Sequence, residues 1–428
     1  MWLLSLHPGI AHARGAGTAT RRERPPAADT VVVGLDALER RAMERDLQIL
    51  AARLNISAAR ATAEQARLLP NPNVSLEQGA FNRANGALFD ATRTGNTEIQ
   101  VQQLVQLAGK RNRNIQLATA GGLVVERMLD ELLRSLRYEL RTDYHDLRFL
   151  QRAEAFDDRA IAAARRTIDA AERLYTSRSI LLSEVVRLRA LLLNLEAERL
   201  GFRNRIADIQ GSLRVLLRDE GTERWYVAVD TSTGSTTRVD SLVVETLVVQ
   251  AISQRADVRL AEATSRVDEA NVGLQRALAI PDVSLGARYA RSGSYIPDYF
   301  ALTVSVDLPL FNRNQGSIKA AEFALAADRR LFEAARGRAD REVRAAWHKA
   351  VDADAAWQGT DKRFAVEYER LVAGTTANYT ARNISIMQFT DFFDSWRQTM
   401  QQLTQLEQSR AEAIEALNYA VGAVVVQP

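Results

Sequence analysis

The chain has 428 residues, 25% charged and 46% hydrophobic, an ordinary balance for a folded protein. Its formal net charge of +3, without a dense basic patch interleaved with aromatics, leaves nucleic-acid binding unsupported. The absence of cysteine excludes disulfides, thiolate metal sites and cysteine nucleophiles, and no run approaches the roughly 18 uninterrupted apolar residues of a membrane helix. Aromatics are 7%, and Ala, Leu, Arg and Glu dominate long tracts, which favours extended helix over compact mixed layers. A membrane crossing by such a chain would be made of β-strands.

In chain order, residues 1–34 read as the remnant of a secretory signal, cut near Ala13, followed by a disordered leader. The first repeat spans 35–220. Helical periodicity runs from Leu35 to Leu69 and stops at Pro70-Asn-Pro72, because proline lacks the donor and clashes with the preceding turn. Alternation then predicts two strands, one through Val74, Leu76 and Gln78, the other through Ile99, Val101, Val105 and Leu107. Between them, residues 82–96 are rich in Asn, Gly, Ala and Thr, as a loop would be. From about Arg111 to Leu174 apolar residues recur at spacings of three and four without proline. At 1.5 Å per residue this helix would span roughly 95 Å. A turn at Tyr175–Leu182 and a returning helix to about Leu217 complete the half.

A Gly/Ser/Thr-rich connector, 221–238, leads to a second repeat over 239–423 and a tail of 424–428. A helix is expected over Ser241–Leu278, closed by Ile280-Pro281. Strands follow through Val283, Leu285, Ala287 and Tyr289, then through Leu302, Val304, Val306, Leu308 and Leu310. A long helix over Ile318–Asn378, a turn at Tyr379–Ile386 and a helix ending at Val421-Gly422 close the repeat. The duplication is visible in the residues themselves: Tyr175-Thr-Ser-Arg-Ser-Ile180 returns 204 positions later as Tyr379-Thr-Ala-Arg-Asn-Ile384.

Strands of about ten residues with one apolar and one polar face suit a transmembrane barrel, which needs roughly 9–11. They also suit an amphipathic hairpin packed on a soluble core. The barrel reading gains weight from the flanking helices, which leave no other sheet to pack on. It gains more from the polar face, where Glu77, Gln100, Gln102 and Asp307 would line a wet lumen, and from the aromatics Tyr289, Tyr295, Tyr299 and Phe300 near one loop. Four strands cannot close, and open edges in lipid leave backbone groups unpaired. Insertion would require several copies, and three would supply twelve strands.

The segment from Leu35 to Gly422 resembles the TolC-type outer-membrane efflux protein family. The likeness rests on Leu68-Leu-Pro-Asn-Pro-Asn-Val-Ser-Leu-Glu77, Val306-Asp-Leu-Pro-Leu-Phe311, Tyr379–Asp394 and Leu417-Asn-Tyr-Ala-Val-Gly422. The pattern over Tyr379–Asp394 is nearest the heavy-metal (CzcC-like) branch. A mainly α chain with a small β part is then expected, assembled as a homotrimer with a 12-stranded barrel in outer-membrane lipid and an α-helical tunnel in the periplasm. The resemblance also implies a periplasmic adaptor and an inner-membrane RND-type pump as partners. The weak leader and the missing N-terminal cysteine of lipidated members are departures.

In such proteins the helix tips meet the adaptor, which singles out Tyr175, Ser177, Arg178, Tyr379, Ala381 and Arg382. The tyrosines equally fit a role as buttresses of a tight turn. Asp391 and Asp394, three apart on one helix face, align with an acidic ring at the periplasmic mouth, although Gln388 replaces one of its acids. His145 and His348 lack a second ligand at i+4 and read as packing or surface residues, so no metal site or cofactor is expected. No phosphate-cradling loop, Gly-x-Ser-x-Gly or His-Glu-x-x-His is present, so no enzyme is expected. The expected function is a passive exit duct for heavy-metal cations or drugs. An ABC-driven secretion outlet and a soluble coiled-coil scaffold are the alternatives.

Overall fold

The computed structural model describes residues 29–83, 85–92, 94–219, 224–229, 238–292, 296–361 and 374–428. The signal, the leader to residue 28, most of the connector, Gly293 and Tyr295 lie outside them.

Each repeat begins with two helices, not the one expected. In the first, α1 (Leu35–Arg45) and α2 (Leu47–Gln65) meet at Asp46, which leaves helical geometry at ψ 127° and whose carboxylate accepts from the Ile49 amide at 2.9 Å. Neither proline nor glycine marks the break; a capping aspartate makes it. In the second, α5 (Val244–Gln254) and α6 (Ala256–Leu278) meet at Arg255, with ψ 131°.

Between α2 and α5 run β2 (Asn73–Gln78), β3 (Thr97–Val105), α3 (Lys110–Thr176) and α4 (Leu182–Leu216). After α6 come β5 (Val283–Ser292), β6 (Pro297–Val306), α7 (Gln315–Gln358), a helical stretch over 374–380 and α8 (Ile386–Val421). The 67-residue α3 is unbroken, about 100 Å long at 1.5 Å per residue. Its counterpart was expected to be equally continuous, but α7 ends at Gln358 with a cap at Gly359 and turn geometry at Thr360. Strand β6 also stops at Val306, four residues short of the expected Leu310, so Asp307 lies just beyond the sheet.

No strand is expected from the sequence in the leader or the connector. The structure pairs β1 (Asp29–Val33) with β4 (Arg224–Ala228) in parallel. Side-chain amides satisfy the other edge of β4. Tyr226 exchanges two hydrogen bonds with Gln210 (2.6 and 2.9 Å), and Gln151 donates to its carbonyl while accepting from Ala228. Short polar side chains thus do what a third strand would do.

The four remaining strands form one antiparallel sheet in the order β2-β3-β5-β6, so the hairpins of the two repeats join through β3 and β5. Gly286 is required at that seam. A Cβ there would lie 2.6 Å from Thr303 Oγ1 and 2.7 Å from the Val101 carbonyl. Apolar packing runs along the helices in three clusters. One lies where α1, α3, α4 and β4 meet, one near the helix turns, and one where α5, α7 and α8 converge.

Candidate channel wall and helix tips

Register gives the sheet two chemically distinct faces. Val74, Leu76, Ile99, Val101, Leu285, Phe300, Leu302 and Val304 share one, and all are exposed, Leu302 to 89%. The opposite face carries Glu77, Gln100, Gln102, Arg288, Thr303 and Ser305, the polar side of the alternation, together with Glu98. Arg288 and Glu98 pair across β3 and β5 at 3.3 Å. Glu98 lies two residues before Gln100, so strand parity alone places it on that face. Of the girdle aromatics, Tyr289 and Phe300 pack at 4.8 Å between centroids on the apolar face, while Tyr299 sits on the polar one with Arg288 near its ring.

At the junctions, Gly109 and Asn314 cap α3 and α7 with φ of 67° and 57°. The polar link there is Lys110 Nζ to Asp282 Oδ1 at 2.8 Å, with the Leu107 amide donating to the same oxygen. It ties the repeats together where sheet becomes helix.

The two expected turns are present and geometrically duplicated. At the first, the Ser179 amide donates to the Leu174 carbonyl and the Arg178 amide to that of Tyr175, both at 2.8 Å. At the second, Asn383 donates to Asn378 (2.8 Å) and Arg382 to Tyr379 (2.9 Å). These are Schellman closures, in which the left-handed position usually belongs to glycine. Here Arg178 (φ 56°) and Arg382 (φ 64°) occupy it. Holding a side chain there costs roughly 1–2 kcal/mol, and both arginines remain exposed. Ser177 and Ala381 fill the preceding position and are also exposed.

The tyrosines differ. Tyr175 is exposed, whereas Tyr379 is buried, stacks toward Phe389 at 5.2 Å and lies 3.4 Å from Glu184 Oε2 at the start of α4. Burial, and then the Glu184 charge, push the Tyr379 hydroxyl up to about 12. Tyr379 is therefore a buttress; Tyr175 is not.

Beyond the second turn, Ser385 and Gln388 form a reciprocal capping box at the start of α8. At the position where an acid was expected, the Gln388 side-chain oxygen accepts from the Ser385 amide at 2.9 Å, a capping role that glutamate fills equally. Asp391 is exposed, and half-buried Asp394 lies 3.8 Å from Arg397. His348 is exposed, as read, and buried His145 lies 3.5 Å from Glu415. No cluster of three His, Asp or Glu able to hold a metal occurs among the described residues. Val186, Leu193 and Leu200, not expected to matter from the sequence, form an exposed apolar stripe at seven-residue spacing on α4.

Residues 247–423, nearly all of the second repeat, match the family of outer membrane efflux proteins. The fold is that of outer-membrane channels. The structure of CusC shares it with a TM-score of 0.71 at 17% identity, over 91% of this chain and 92% of that one. VceC of Vibrio cholerae shares it at 0.70 and 19% identity, over 91% and 96%. A curated relative, the pyoverdine export outer membrane protein OpmQ of Pseudomonas putida, is 29% identical over 183 residues, 40% of this chain and 38% of that protein. Family match, relative and solved neighbours agree on location, the outer membrane of a Gram-negative bacterium.

Proposed function

We propose that three copies of this chain close a 12-stranded barrel and continue it as a helical tunnel, forming the passive exit duct of a tripartite efflux system. The observation that carries this reading is the sheet. It exposes a continuous apolar face, keeps a charged and amide-rich face opposite, and has β2 and β6 each paired on one side only. In lipid those edges demand partners, and a second copy offers β6 to β2. The stripe on α4 supports the same assembly lower down, since seven-residue apolar spacing suits a helix from a neighbouring copy.

The exposed arginines at the turns suit docking of a periplasmic adaptor. Strained, exposed residues that glycine could replace are held for their side chains. Asp391 and Asp394 would be tripled around the mouth and would draw cations toward it. The cargo is delivered by an inner-membrane pump of the RND type, and the resemblance over Tyr379–Asp394 supports heavy-metal cations or drugs. The partial likeness to OpmQ supports pyoverdine-like cargo as a second reading.

The test is fractionation followed by planar-bilayer recording. The protein should be extracted from outer membranes as a cross-linkable trimer and conduct with a preference for cations. Replacing Asp391 and Asp394 together by alanine should diminish that preference. A monomer soluble without detergent would end this reading.

A further inference from the structure

The contact of α3, α4 and α8 encloses a cavity of about 410 Å³ that the export reading does not use. Phe149, Phe156, Phe202 and Met400 give it apolar surface, and Asp157, Glu198 and Glu412 bring carboxylates. Asp157 is fully buried at 0% exposure, and neither of its carboxylate oxygens has a hydrogen-bond partner. Burying a carboxylate without a donor is expensive, so such an orphan calls for an explanation.

The surrounding charges do not supply one. Glu198 is bonded to Arg397 at 2.6 Å and to Gln401, and Arg199 pairs with Asp158 at 2.9 Å. Arg205 reaches the cavity but is exposed. Burial first, then Glu198, push the Asp157 carboxyl up to about 7; Asp158 acts in the same sense, and Arg397 and Arg199 oppose it.

We propose that this cavity binds a small organic cation, a protonated amine on an aromatic or alkyl body. The amine supplies the donors that Asp157 lacks, and the body rests on the phenylalanine faces, where a cation is also attracted to the ring electrons. An anion would meet Asp157 and Glu198 and be repelled. An uncharged molecule would leave the buried charge unbalanced. The proposal concerns the wall of one protomer and stands or falls separately from the export reading.

Linkage adds a signature. A bound cation holds Asp157 ionised, so binding near neutrality releases a proton, and affinity falls as pH drops below about 7.

Calorimetry on the detergent-solubilised full chain tests this, with 2-phenylethylammonium as the probe and 2-phenylethanol as its uncharged control. The amine should bind about tenfold or more tighter than the alcohol, and Asp157→Asn should lose about tenfold, a difference near 1.4 kcal/mol. Affinity should drop several-fold from about pH 8 to about pH 6, with heats that depend on the buffer's protonation enthalpy at neutrality. Should Asp157→Asn misfold, Phe202→Ala provides the second variant, with weakened amine binding expected. Equal affinity for amine and alcohol, no amine binding, or affinity unchanged in a folded variant would overturn the proposal.

Discussion

The two repeats close their helix turns with the same backbone hydrogen bonds and the same strained arginine, yet they support those turns differently. The first leaves Tyr175 exposed and precedes α4 with Leu181, whose apolar side chain makes no cap. The second buries Tyr379 against Phe389 and Phe393 and starts α8 with a capping box. Above the turns the contrast inverts. The first repeat runs one 67-residue helix, whereas α7 stops at Gln358 after 44 residues. Duplication preserved what the turn requires of the backbone, and the side chains around it diverged, so one turn is an aromatic-supported, capped unit and the other is an exposed loop.

The comparison breaks most readily at the tyrosines. Tyr379→Ala should cost about 3 kcal/mol, as truncation of a buried aromatic does, while Tyr175→Ala should change stability by about 0.5 kcal/mol or less. Thermal melts followed by circular dichroism would show it; equal losses would mean the two turns are supported alike.

A titration sharpens the same contrast. Because the folded Tyr379 hydroxyl is raised from 10.0 to about 12, its stabilising contribution is complete below pH 10 and is lost as pH rises toward 12. The loss is on the order of 2 kcal/mol. Tyr379→Phe should flatten this part of the stability–pH curve, and Tyr175→Phe should leave it as it is.

The smallest effects test what is shared and what is not. Arg178→Gly and Arg382→Gly should each stabilise by about 1 kcal/mol, since glycine tolerates the left-handed position. Ser385→Ala should cost about 1 kcal/mol through loss of the cap. Hydrogen exchange at the turn amides reads all three changes locally. Protection falling equally in both turns on Ser385→Ala would dissolve the difference.

Much of this was legible in the residues. The alternation that faces Val74 and Ile99 one way and Glu77 and Gln100 the other is local, and the register kept it. The 204-residue echo placed both turns. Polar breaks were not legible. Asp46 ends α1 by capping Ile49 without any proline or glycine, and Arg255 is held by Asp257, Glu342 and the Ala420 carbonyl, partners scattered across three helices. The end of α7 at Gly359 carries no distinctive local signal either, since an isolated glycine is tolerated within helices.

By itself, the sequence determined periodicity, and with it the duplicated order of long helices and hairpins and the two-faced character of the main sheet, because those depend on neighbours within a few residues. The tertiary structure alone decided that β1 would find β4, that Tyr379 and not Tyr175 would be buried, and that Asp157 would be enclosed without a partner. Each depends on which separate segments of the chain come to lie side by side, and no local pattern encodes that.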